Sequence, residues 1–171
     1  MSFKDSYLYK IRQKVGHDEL IVPGVDVVAV RDEKVCLVFN KDFQVWTLPG
    51  GAAEPEDSWQ GAAARELREE AGIIASLDVL VPFATLSGSG WRIQYDNGDK
   101  SRCFTVGFCC QDFQESNLPL DDSEIARLEW FALSELDNVE MTKHSRAFLD
   151  AYLDYRHDHE FKQIVWNMNT D

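Results

Sequence analysis

At 171 residues, 44% hydrophobic and 12% aromatic, the chain is long enough to bury one sizeable core. Its formal charge of −13, from 30 acidic and 17 basic residues, excludes a nucleic-acid polymer as main partner, because a phosphate backbone needs a basic surface. The same charge admits a small phosphate ester only where cations bridge it to carboxylates, a task suited to Mg²⁺.

Residues 1–20 mix Lys4, Asp5, Lys10, Arg12 and Lys14 with isolated apolar residues, so no secretory h-region is expected. The longest apolar runs, 27–30 and 35–39, have strand length and are too short to cross a bilayer. Cys36, Cys103, Cys109 and Cys110 lack CxxC spacing and read as buried thiols of a reducing, cytoplasmic compartment. Neither a linker-like stretch nor an internal repeat divides the chain. One domain over 1–171 is expected, with its core at about 25–155 and short extensions at both ends.

In chain order, residues 25–31 and 35–40 read as strands joined by a hairpin turn at Asp32-Glu33-Lys34. Residues 45–48 form a short third strand, and Pro49-Gly50-Gly51 breaks regular structure. The run 52–71 then has helix-forming composition. Asp57 or Ser58 can cap this helix, with Gln60 in a capping-box position after Asp57, and Gly72 can end it in the left-handed region. Further strands are expected at 77–86, 103–110 and 128–131, and an amphipathic helix at 141–155, with Met141, Phe148, Tyr152 and Tyr155 facing the core.

Chemistry concentrates between residues 51 and 73. Glu66, Glu69 and Glu70 stand at i, i+3 and i+4, so three carboxylates share one helix face. Ala63, Leu67 and Ala71 occupy a neighbouring face suited to packing on a sheet. Spacing alone fits both a solvated acidic face and a cation site. Arg65, four residues before Glu69, fits a surface pair equally well.

The span Gly51-x5-Asp57-x7-Arg65-Glu66-Leu67-x-Glu69-Glu70-x-Gly72-Ile73 resembles the Nudix box of MutT-like hydrolases at eight of its nine fixed positions. The exception is Asp57, where the pattern has glutamate. The flanks Trp46-Thr47-Leu48-Pro49-Gly50 and Trp130-Phe131-Ala132-Leu133-Ser134-Glu135-Leu136 resemble the family too. The resemblance implies an α/β/α sandwich with a mixed sheet and Mg²⁺-dependent hydrolysis, with Mn²⁺ as the alternative ion. The bond cut would be the pyrophosphate of a nucleoside diphosphate linked to another moiety, as in ADP-ribose, or of a nucleoside triphosphate.

Carried over by position, the resemblance makes Glu69 and Glu70 the main metal ligands, with Glu66 a further ligand or the general base. The Gly51 carbonyl would add an oxygen, Arg65 would orient a glutamate, and Leu67 and Ile73 would pack. Glu124, in Asp122-Ser123-Glu124-Ile125, resembles the family's base outside the box, although a solvated acidic loop fits that cluster equally. Asp57 is one methylene shorter than glutamate, so it either loses a contact or serves only as the cap. A non-catalytic nucleotide-binding Nudix sensor is the alternative; it predicts a damaged acidic cluster, and here the cluster is intact. A protein using this helix only as an interaction face comes third.

Residues 87–102 form a turn-rich segment where Trp91 or Tyr95 can stack on a base and Arg92 or Arg102 can meet a phosphate. A hairpin through Asp96-Asn97-Gly98 with both arginines as ordinary surface charges fits as well. His17, His144, His157 and His159 read as surface or capping residues. The end, 160–171, reads as an extension packed through Phe161, Ile164 and Trp166, in one reading within a homodimer.

Overall fold

A computed structural model describes residues 5–116 and 124–168; Lys4, Asp122 and Ser123 lie outside the described residues. The apolar run anticipated from residue 25 belongs to a longer strand, β1 (Glu19–Arg31), paired antiparallel to β2 (Lys34–Asn40). Asp32 and Glu33 both take positive φ, 50° and 58°, which gives the hairpin a twist that suits its strands. Glu33 is held there by Leu133, whose N–H donates to its carbonyl at 2.9 Å, and by Arg156 at its carboxylate.

Two short strands leave β2. Of these, β3 (Val45–Thr47) pairs with β2 and β4 (Gly50–Ala52) pairs antiparallel with β1. The chain then enters helix α2 (Trp59–Ala71), and β5 (Ile73–Ile74) follows it. Strand β6 begins at Val81 rather than at residue 77, because Leu77–Val79 close a 3₁₀ turn first; it runs Val81–Ser87. Strands β7 (Arg92–Gln94) and β8 (Lys100–Cys110) form the hairpin that the sequence allowed. After β9 (Gln114–Glu115), β10 (Ile125–Ala132) pairs with β2, and helix α3 (Lys143–Asp158) leads to β11 (Lys162–Val165).

The main sheet runs β10-β2-β1-β8-β6-β11, with β3, β4 and β7 as side branches, and β5 and β9 form a separate pair. It is mixed, since β1–β8 and β6–β11 are parallel. Alternation sorts the apolar residues into two layers. Val25, Val27 and Ala29 pack with Ala63 and Leu67 of α2, while Val28 and Val30 pack with Phe148 and Tyr152 of α3. Helices therefore cover both faces, the α/β/α arrangement that the resemblance implied. Strands buried on two faces read as continuous apolar runs, as β1 and β2 do.

The helix ends are local chemistry. Ser58, not Asp57, caps α2 by accepting from the Gly61 N–H at 3.0 Å, so the Asp57–Gln60 capping box does not form. Gly72 ends the helix at φ 62°, as its glycine predicts. Thr142 caps α3, and His159 closes it in the left-handed region at φ 56°.

One helix was not anticipated. Helix α1 (Tyr7–Val15) is capped by Ser6 and anchored by a buried guanidinium. Arg12 donates to the carbonyls of Gly16 and Asp18, to Lys100 O and to Ser101 Oγ, which ties α1 to the base of the β7–β8 hairpin.

Candidate active site

Where β4 leads toward α2, backbone and carboxylates come unusually close. A Cβ on Gly51 would lie 2.6 Å from Glu66 Oε1, so only glycine lets the α2 carboxylate reach this strand. Next to it, the Gly50 N–H donates to Glu70 Oε2 at 2.9 Å. Gly50 and Gly51 thus dock α2 against β4 by way of its acidic side chains. The Gly51 oxygen lies toward Gly24 of β1.

Arg65 organises the other side. Its Nη1 donates to Glu66 Oε1 at 2.7 Å and lies 3.7 Å from Glu69 Oε2. Its Nε and Nη2 reach Asp57 Oδ2 at 3.3 and 3.0 Å, and Nη2 also reaches the Ala52 carbonyl at 3.0 Å. Asp57, although one methylene shorter than the family's glutamate, keeps its contact with the arginine. It also accepts from the Glu54 N–H at 3.1 Å, which braces the loop before α2. The arginine's pKa is raised by these carboxylates, so its charge is fixed.

The acidic face is not solvated. Glu66 and Glu70 are buried, and Glu69 is partly covered. Burial pushes the Glu66 carboxyl up to about 7 despite Arg65, with Glu69 and Glu124 adding repulsion. Glu70 is raised well above its usual range by burial and by Glu66, against the Gly50 hydrogen bond. Glu124 lines the same cavity and its charge acts on both glutamates.

Two residues not singled out from the sequence join them. Asp26, on β1, is buried, and burial followed by the Glu66 charge raises its pKa. Its Oδ2 lies 3.8 Å from Nε2 of His144, which was read as a surface or capping residue and instead packs inside on the first turn of α3. Burial holds that imidazole neutral, its pKa pushed down to about 4. The signal for Asp26 was present: an acid inside the apolar run of β1 has no reason to be there unless something pairs with it. His144 carries no such signal, since its burial depends on where α3 docks.

These groups line a cavity of about 920 Å³. Trp91, Tyr95 and Trp166 line it too, and Trp91 lies 5.9 Å from His144 between ring centroids. Arg92 and Arg102 are register partners across the hairpin, and one carboxylate holds both: Glu19 lies 2.6 Å from each guanidinium. Sequence reasoning brought Arg92 and Arg102 forward for a phosphate, and the structure gives both of them this internal partner. Trp91 packs edge-on against Trp166, at 5.1 Å between ring centroids.

A divalent ion fits this donor set by its chemistry. Among the described residues no three His, Cys, Asp or Glu side chains close a shell by themselves. Carboxylates of β1, α2 and Glu124 line the one cavity, which suits an ion held by a few of them together with substrate phosphate and water.

A family model for the NUDIX domain matches residues 20–152, and the chain belongs to that family. Over 52 residues, 30% of this chain, it is 42% identical to diphosphoinositol polyphosphate phosphohydrolase 3-alpha of Mus musculus. Over 109 residues, 57% of this chain, it is 29% identical to RNA pyrophosphohydrolase of Rhodopseudomonas palustris (strain HaA2). These stretches span 32% and 64% of the two relatives' own lengths. Among solved structures, the MutT NUDIX hydrolase from Burkholderia pseudomallei superposes with a TM-score of 0.64 at 23% identity, over 77% of this chain and 98% of that one, which shows the shared fold. No helix among the described residues is long and apolar enough to cross a membrane.

Proposed function

We propose that the protein hydrolyses the pyrophosphate bond of a nucleotide-like small molecule with Mg²⁺, or Mn²⁺ in its place. The observation that carries this reading is the buried set Asp26, Glu66 and Glu70, of which Glu66 is hydrogen-bonded to the Arg65 guanidinium. Clustered buried acids destabilise one another unless they are protonated or meet a cation, and Arg65 supplies a single charge. Glu69 and Glu70 are the proposed principal ligands, with Glu66 beside them and the Gly51 carbonyl as a further oxygen. When bound, the ion neutralises phosphate oxygens and lowers the pKa of the attacking water.

The chain's own groups do the rest. The Gly50 N–H fixes the Glu70 carboxylate, and Arg65 fixes Glu66 while Asp57 braces the arginine. Glu66, near 7, is poised to take a proton from water at neutral pH, and Glu124 is the second acid placed to do so. A Glu124→Gln variant separates the two: if Glu124 is the base, turnover falls steeply and loses its acidic limb.

The cavity's charge narrows the substrate. Along its lining stand eight acids and four bases. Arg65 and Arg92 are paired to carboxylates, and Arg12 to carbonyls and Asp99. Such a lining repels a ligand charged on every side, such as the polyphosphate that the mouse relative is named for. It accepts a molecule whose charge is confined to one cation-bridged diphosphate, and the acidic surface equally disfavours an RNA chain. A nucleoside diphosphate derivative meets both conditions. A panel of ADP-ribose, dinucleotide, NADH, nucleoside triphosphate and 8-oxo-nucleotide, each with Mg²⁺ and with EDTA, tests the proposal. Metal-dependent release of a nucleoside monophosphate from one member is expected, and identical rates in EDTA would refute it.

A further inference from the structure

The family match covers residues 20–152, yet both flanks outside it reach the cavity. From α1, Ser6 and Leu8 form part of the wall, and the Tyr7 N–H donates to both Glu54 carboxylate oxygens at 3.0 Å. From the other end, the chain beyond β11 lies across the loop between β6 and β7. The Gly90 N–H donates to the Trp166 carbonyl at 2.8 Å, the Trp166 N–H to Ser87 O at 3.1 Å, and the Met168 N–H to Ser89 Oγ at 2.9 Å.

Glycine makes this seat possible. A Cβ on Gly90 would meet the Trp166 indole at 2.4 Å, and Gly88 holds φ 122° beneath the Trp166 backbone. The indole is thereby pinned against Trp91, and Trp166, which lines the cavity, stays 40% exposed. Lys143 Nζ stands 5.6 Å from its ring centroid. Of the four cavity-lining cations, Lys143 is the one with no carboxylate partner among the described residues, and it opens α3. A pinned, half-open aromatic corner with one available donor suits a planar ring that bears hydrogen-bond acceptors and no negative charge.

We propose that Trp166, with Trp91, forms the binding pocket for the base of a nucleotide, so that base affinity is carried by a segment outside the family domain. The proposal rests on the diphosphate reading of the carboxylate end for its orientation: phosphates toward α2, base toward β11. Its distinguishing feature is Trp166, supplied by the chain after α3.

Calorimetric titration of the full chain with AMP, GMP, CMP and UMP, and separately with inorganic pyrophosphate and Mg²⁺, tests this. Trp166→Ala is expected to weaken the best-bound monophosphate by about tenfold or more, as loss of a stacked base does. Trp166→Phe should stay within about threefold, and pyrophosphate binding should be unchanged in both. Unaltered monophosphate binding in Trp166→Ala, no monophosphate binding by the unmodified protein, or a matching loss of pyrophosphate binding would each overturn the pocket. Because no turnover is read, a protein that binds monophosphates through Trp166 yet hydrolyses nothing would refute the hydrolase reading and leave the pocket standing.

Discussion

Glu66 is held in two ways that oppose each other: Arg65 stabilises its charge, and burial beside other acids destabilises it more. Its pKa is about 7 in the folded chain against an ordinary 4.5, so between these values the folded state binds more protons than the unfolded one. The contribution of Glu66 to the stability of the metal-free protein therefore falls as pH rises from about 4.5 to 7, while that of His144, pushed down to about 4 from 6.5, rises over the lower part of the same range. In thermal melts in EDTA, the difference between the unmodified protein and Glu66→Gln should change in that direction across this pH range. Metal binding displaces the same proton, so affinity for Mg²⁺ should weaken as pH falls below about 7. The four cysteines make a different residue-scale prediction. All are free and buried, with thiols pushed up to about 11 or 12, so the folded protein should not react with a disulfide reagent at pH 8 until denatured.

At the scale of elements, α2 depends on a few atoms at its start and on the glycines beneath it. Ser58→Ala removes the cap of α2 and should cost about 1 kcal/mol in chemical denaturation while sparing turnover. Gly51→Ala should do the reverse, because the added methyl would meet Glu66 Oε1 at 2.6 Å: turnover falls sharply and the fold survives. These elements were largely legible in the sequence. Alternation, Gly72 and the box spacing located α2, the central strands and the acidic face. What escaped was set by tertiary docking. Helix α1 has scattered apolar residues and one buried residue, Arg12, two of whose partners, Lys100 and Ser101, lie far along the chain on β8. Likewise β11 is only four residues long and becomes a strand by pairing with β6. Asp26 showed in the sequence as an acid in an apolar strand, but only the docking of α3 brings His144 to it.

For the molecule as a whole, the sheet supplies a frame with two helical faces, and the cavity is lined by β4, the later turns of α2 and the first turn of α3. Its lining combines an acidic cluster with aromatic rings, so a ligand with a charged and a planar part meets a partner for each. Separating chemistry from recognition in this way predicts that changes near Trp166 alter KM and changes near Glu70 alter kcat. The most direct test of the central claim is to measure Mg²⁺-dependent turnover and melting temperature together for the unmodified protein and Glu70→Gln. Glutamine keeps an oxygen for the Gly50 N–H and removes the charge. Turnover should be lower by roughly a hundredfold or more with an unchanged or higher melting temperature in EDTA, as expected when catalysis loses a metal ligand and a buried acid is neutralised. Full Mg²⁺-dependent turnover in Glu70→Gln would contradict it.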